Sequence, residues 1–166
     1  MTQAPEIRLL RAGEGAALRA IRIEALTLDA QGFASDAEVE AARPVDWFEE
    51  RVDGVFGAFV DGELVGMAGY SRPTNPKQTH KATLWGMYLR ADQRGSGIAG
   101  KLVAAVIAHA RADRAEALLL ACNATNKAAI RLYELAGFQR YGLEPRALRH
   151  ADGGYTDDAL YVLALD

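Results

Sequence analysis

The run Arg94-Gly95-Ser96-Gly97-Ile98-Ala99-Gly100-Lys101 is where this sequence most visibly can do chemistry. Small residues where a strand hands over to a helix let consecutive main-chain amides point into one concavity, and the helix terminus adds partial positive charge. Such a turn attracts phosphate. Three phosphate-binding patterns overlap on it. Gly95, Gly97 and Gly100 spell G-x-G-x-x-G, the dinucleotide fingerprint, which also wants an acid at the end of the following strand to hold ribose hydroxyls; here that strand ends at Cys122-Asn123. Gly95, Gly100 and Lys101 satisfy most of the nucleotide-hydrolase loop, but Leu102 stands where a hydroxyl should bind Mg²⁺. The third pattern is Arg or Gln, two residues, Gly, one residue, then Gly or Ala, and Arg94, Gly97 and Ala99 fit it in full. A glycine-rich connection that merely turns the chain is the plain alternative to all three.

The elements that would position this turn can be read from periodicity. Glu6 to Leu10 is a short strand, and Leu18, Ile21, Ala25 and Leu28 mark a helix over about Glu14–Asp29. Ser35–Asp53 is acidic and is divided by Pro44 into two short helical pieces. Val55–Val60 and Leu64–Tyr70 form a hairpin about Asp61-Gly62, and Ala82–Leu89 is a central strand leading into the glycine turn. Ile98, Leu102, Val106 and Ala110 form a helical stripe, and Ala117–Cys122 a buried strand. Ile130, Tyr133 and Ala136 make a second stripe ending at Gly137, with Phe138–Leu143 and Tyr155–Leu165 as final strands. The order implies a mixed α/β layer structure, one domain over residues 1–166.

Bulk properties narrow the function. Of 166 residues half are hydrophobic, the net charge is −3 and the isoelectric point is near 5.6. That argues against nucleic acid, which wants a basic face. Cys122 is the only cysteine, so no internal disulfide and no thiolate metal site can form. No apolar run reaches membrane-spanning length, and Met1–Leu10 has no apolar core of a leader peptide, so the expectation is a cytoplasmic protein without membrane association.

The third loop pattern does not stand alone. Downstream, Asn126-Lys127-Ala128-Ala129-Ile130-Arg131-Leu132-Tyr133-Glu134-Leu135-Ala136-Gly137-Phe138 sets an Asn, an Ala, Leu-Tyr and Gly-Phe at fixed spacing. With Leu84–Leu89 before the loop, the sequence resembles the GNAT superfamily of acyl-CoA N-acyltransferases, sharply from Ala82 to Phe138 and in element order from Glu6 to Leu165. The resemblance implies that family's three-layer fold, a mixed and mostly antiparallel central sheet flanked by helices. It implies acetyl-CoA as co-substrate, no metal, and transfer to a primary amine by direct attack in a ternary complex.

The same resemblance assigns roles. The pantetheine arm would add to the central strand at Met87, Tyr88 and Leu89, with the Met87 amide polarising the acetyl carbonyl. Arg94, Gly95, Ser96, Gly97, Ile98, Ala99 and Gly100 would hold the pyrophosphate. Asn126 would touch the arm, although its type and place also suit a helix cap. Tyr133 would protonate the departing thiolate, although on its own it reads as a core residue. Lys127 and Arg131 could face the phosphates or simply water.

The family's usual strand glutamate, eleven residues before Arg94, is Thr83 here. That departure favours an amine already partly neutral: an α-amino group with pKa about 7.8 is neutral in roughly one molecule in seven at pH 7, against roughly one in 2,500 for a lysine side chain. Thr83, His80 or Glu24 could otherwise carry the proton through water; His109 and His150 read as surface groups. The acceptor pocket is expected around the acidic stretch Asp29–Glu50, with Glu24, Phe33, Thr83, Trp47 and Trp85, whose carboxylates would favour a cationic small amine, amino acid or peptide N-terminus. Two alternatives stay open: a domain that binds acyl-CoA without turnover, and Cys122 as an acyl-carrying nucleophile. A homodimer is compatible with the sequence.

Overall fold

The computed structural model describes residues 4–165. Residues 1–3 of the N-terminal stretch, and residue 166, lie outside the described part. In chain order the elements are β1 (Glu6–Leu9), α1 (Gly15–Leu28), α2 (Ala37–Ala41), α3 (Val45–Glu49), β2 (Val55–Val60), β3 (Glu63–Ser71), β4 (Lys81–Leu89), α4 (Ile98–Ala112), β5 (Ala117–Asn123), α5 (Lys127–Leu135), β6 (Gln139–Arg149) and β7 (Tyr155–Ala164). The strands form a seven-stranded sheet in the order β1-β2-β3-β4-β5-β7-β6. Among the described residues only β4 and β5 pair in parallel, because the chain returns between them through α4.

Each face of the sheet has its own core. On one, Ile98, Leu102, Val106 and Ala110 of α4 are buried against Ala82, Leu84, Leu118 and Leu120. On the other, Leu18, Ile21 and Ala25 of α1 pack with Phe48, Val55, Met67 and Tyr88. Full burial of each large apolar side chain contributes about 1.5–3 kcal/mol, which is why the stripes lie inward. Leu28 departs from the expected stripe: as the last residue of α1 it is 72% exposed, and Leu26 turns inward instead. The Asp61-Gly62 hairpin forms as expected, with φ of 51° and 81°. Strand β6 runs past Leu143, the end expected from sequence, and continues through Pro145 to Arg149. It lies at the sheet edge, and its pairing with β7 is irregular between Glu144 and Leu148, the two places a strand tolerates proline.

Two irregularities in β4 shape the middle of the sheet. Its register against β3 passes from Met67↔Tyr88 to Gly69↔Trp85, so β4 carries one extra residue there, and Gly86 takes φ +63°. Its pairing with β5 ends after Lys81↔Ala117, Ala82↔Leu118 and Thr83↔Leu119. Beyond Thr83 the two central strands part and leave a gap between them.

Candidate active site

The gap exposes main-chain groups of β4. The Arg90 amide donates to the Val65 carbonyl on β3. Since successive amides of a strand point to opposite sides, those of Leu89 and Met87 face the gap. The Leu89 carbonyl faces it too and accepts from Arg94 Nε at 3.0 Å, so the arginine side chain folds back and pins the glycine turn to the strand it follows.

In that turn Gly95 and Gly97 adopt φ of +77° and +84°, with nothing within 4 Å of where a Cβ would stand. Only glycine does this without strain. Among the described residues, no amide from Gly95 to Gly100 finds a hydrogen-bond acceptor; Lys101, bonded to the Gly97 carbonyl, is the first that does. A bare row of donors at the start of a fifteen-residue helix is a cradle for an anion.

Three cavities meet here. A groove of about 460 Å³ is lined by Met87, Tyr88, Leu89, Arg94, Gly95, Gly97, Ala99 and Asn126, with Arg131 and Leu132 of α5 opposite. A slot of about 70 Å³ continues from it between Met87, Asn126, Cys122 and Tyr133, reaching Phe33 and Trp85. On the far side of Trp85 lies a pocket of about 550 Å³ between the sheet and the first three helices.

A model of the Acetyltransferase (GNAT) family matches residues 19–138. The chain belongs to that family. The L-methionine sulfoximine/L-methionine sulfone acetyltransferase of Pseudomonas aeruginosa is 30% identical over 137 residues, covering 80% of this chain and 78% of that one. In fold the chain is similar to an acetyltransferase of the GNAT family from Streptococcus pneumoniae (TM-score 0.87, 19% identity, 98% and 100% of the two chains). It is similar also to yncA of Salmonella typhimurium, solved with its cofactor acetyl-CoA (TM-score 0.81, 21% identity, 99% and 95%). The protein is thus a GNAT acetyltransferase, with the mixed sheet between helical layers that the resemblance implies.

Of the residues expected to hold the coenzyme in this acetyltransferase, Ser96, Ile98 and Gly100 stand apart from the groove. The Ser96 hydroxyl donates to the Gln93 carbonyl at 2.5 Å, the Ile98 side chain is buried in the core, and Gly100 lines a separate hollow with Leu132 and Leu135. They reach the turn through their amides alone. Tyr88 meets the groove, but its phenol donates to Glu24 Oε1 at 3.3 Å on α1. Asn126 does both things considered for it: its side-chain oxygen accepts from the Ala129 amide at 3.1 Å, and the residue lines groove and slot. Arg131 reaches the groove, whereas Lys127 is exposed beside it.

Tyr133 is 5% exposed and edge-on to Phe138, and its hydroxyl has no partner among the described residues. Burial, and then the neighbouring Cys122, push its pKa well above the ordinary phenol value, so the proton stays on. Burial, and then Asp158, push the Cys122 thiol up to about 11, which leaves it neutral and a poor nucleophile.

On the acceptor side the structure corrects several expectations. Glu24 lines none of the three cavities: Arg90 Nε lies 3.0 Å from its Oε2, and the pair fastens α1 to the end of β4. Thr83 shares the Trp85 face of β4 but is exposed and outside all three. His109 is not a surface group; it is half-buried, edge-on to Tyr70 at 4.7 Å and Phe56 at 5.5 Å. The acidic stretch is largely spent on structure. Glu49 accepts from the Gly13 and Gly15 amides at the start of α1, at 2.5 and 2.6 Å, and Glu40 is buried against Arg22. Phe33 lines the slot and Trp85 joins slot to pocket; Asp29 and Glu40 of the acidic stretch line these cavities as well, together with Arg22, which no sequence pattern marks.

Proposed function

We propose that this acetyltransferase binds acetyl-CoA in the groove, as one domain, and passes the acetyl group to the primary amine of a small molecule, an amino acid being the class favoured. The observation that carries the reading is the chain of shared walls: Met87 and Asn126 belong to both groove and slot, and Trp85 to both slot and far pocket. Coenzyme and acceptor can therefore meet in the slot from opposite sides. The named substrates of the Pseudomonas relative, methionine derivatives, support an amino-acid acceptor.

The residues fit the coenzyme. Unbonded amides from Gly95 to Gly100 would take its pyrophosphate, and the gap-facing amides of Met87 and Leu89 its pantetheine arm, as an added strand would be taken. Acetyl-CoA supplies a thioester carbonyl. On this reading the Met87 amide would donate to the carbonyl oxygen, and Tyr133, whose phenol keeps its proton and which lines the same slot, would donate to the leaving sulfur. With Thr83 in the glutamate position, the reading favours an amine that arrives neutral.

Free-thiol release from acetyl-CoA across a panel of amines tests this. Amine-dependent release is expected from the native protein, and Tyr133→Phe should lose about 10²-fold or more in kcat with coenzyme binding retained. Equal rates would remove Tyr133 from the chemistry, and no release with any amine would overturn the reading.

A further inference from the structure

Trp47, Phe48, Met67 and Trp85 give the far pocket apolar walls, the exposed Glu50 and Arg51 lie with Asp53 along its lining, and a second guanidinium, that of Arg22, stands buried inside it. Arg22, on α1, is 12% exposed in its side chain and pairs with Glu40, which is 9% exposed. Its Nε lies 3.0 and 3.3 Å from the two Glu40 oxygens, and its Nη2 bonds Glu40 Oε1 and Ser35 Oγ, each at 3.0 Å. Phe33 and Trp85 flank the group at 5.5 and 5.8 Å from their ring centroids. One edge and one nitrogen are thus fully committed, and aromatic rings flank the group.

The remaining nitrogen, Nη1, has no partner among the described residues and is not sealed from solvent. It points at the β4 bulge, 3.4 Å from where a Cβ on Gly86 would stand. Gly86 belongs to the slot and is followed directly by Met87, about 3.8 Å along the chain. A buried ion pair is weak evidence of stability, because apolar residues of equal volume would hold the same contact at least as well. What this pair provides that apolar residues would not is a pair of N–H donors, fixed in direction, at the junction of pocket and slot.

We propose that Arg22 is the residue that selects the acceptor, its Nη1 binding the α-carboxylate of an amino acid whose amine enters the slot and whose side chain fills the apolar pocket. The assignment rests on the acetyltransfer reading of the groove and slot. The closeness of Nη1 to the bulge before Met87 favours the α-carboxylate, which lies two bonds from the amine, over an oxygen far out on a side chain. Glu40 offsets the arginine's charge and orients it, while Nη1 donates one hydrogen to a carboxylate oxygen, a charge-assisted contact.

The experiment compares kcat/KM for L-methionine, its methyl ester and its decarboxylated counterpart, 3-(methylthio)propylamine, in the native enzyme and in the double variant Arg22→Gln/Glu40→Gln. The double variant removes both buried charges together, and a thermal melt with acetyl-CoA calorimetry checks that it folds. The native enzyme should prefer the free acid by about 10–100-fold, mainly through KM, and the variant should reduce that preference to within about threefold. Amines acetylated with no preference for the carboxylate overturn the assignment and leave the acetyltransfer reading standing; absence of turnover with every amine overturns both. An undiminished preference in the variant also overturns it. Should the double variant fail to fold, Arg22→Lys takes its place in the same comparison: a reduced preference for the free acid is expected, and an undiminished one overturns the assignment.

Discussion

The indole of Trp85 lies against the bare Cα of Gly69 on the neighbouring strand: a Cβ there would come within 2.2 Å of the ring. This contact sets where the wall between the slot and the far pocket stands. Gly69→Ala should therefore push the indole aside, at a cost of about 1–3 kcal/mol in stability. Acceptor KM should rise about tenfold, while the acetyl-CoA Kd, read by calorimetry, stays within about twofold, because the groove begins beyond Met87. An unchanged acceptor KM would mean that Trp85 does not bound the acceptor site.

Cys122 lines the slot with its thiol pushed up to about 11, first by burial, and should react sluggishly with iodoacetamide at pH 7. Intact-mass analysis after incubation with acetyl-CoA alone should show no added acetyl group. An adduct on this residue would convert the proposed direct transfer into a two-step mechanism.

Glu49 gives one oxygen to the Gly13 amide and the other to the Gly15 amide. A carboxylate at a helix start both satisfies orphan donors and meets the favourable end of the macrodipole. Glu49→Ala should cost about 1.5–3 kcal/mol, seen as a lower urea midpoint at unchanged slope. A loss below about 0.5 kcal/mol would show that water replaces the cap without penalty.

The Glu14 carboxyl is held down to about 2, from 4.5, first by its hydrogen bond with Arg8, whose Nη2 lies 2.7 Å from Oε1. A depressed carboxyl pKa favours the folded state above the unfolded value, so this contribution is complete above about pH 4.5 and is lost as pH falls toward about 2. Melting temperatures of Glu14→Gln and the native protein should therefore differ most at pH 6, with a gap that shrinks steadily as pH falls from about 4.5 toward 2. A gap as wide at pH 2.5 as at pH 6 would assign the effect to packing.

The elements that build the groove are legible in the sequence. Its parts are consecutive in the chain: β4, the glycine turn and α4 follow one another, and Asn126 to Phe138 is one helix and its stop. Loop chemistry and helix period act over neighbouring residues, so spacing alone exposes them. Glu24 and Thr83 show the opposite case. The place of each in the chain points to the acceptor, but Arg90 draws the first to the end of β4 and solvent takes the second.

From its residues alone, this chain determined its family, its order of strands and helices, and the glycine turn that opens α4, since all of these rest on local periodicity and backbone preference. Tertiary structure decided the acceptor side. Arg22 and Glu40 become a pair only when α2 folds against α1, and the slot exists only because β4 bulges at Gly86 and parts from β5 after Thr83. Nothing in one arginine among many charged residues announces such a meeting: it arises from the packing of segments that are distant or separately folded, and packing is a property of the whole chain rather than of any window along it.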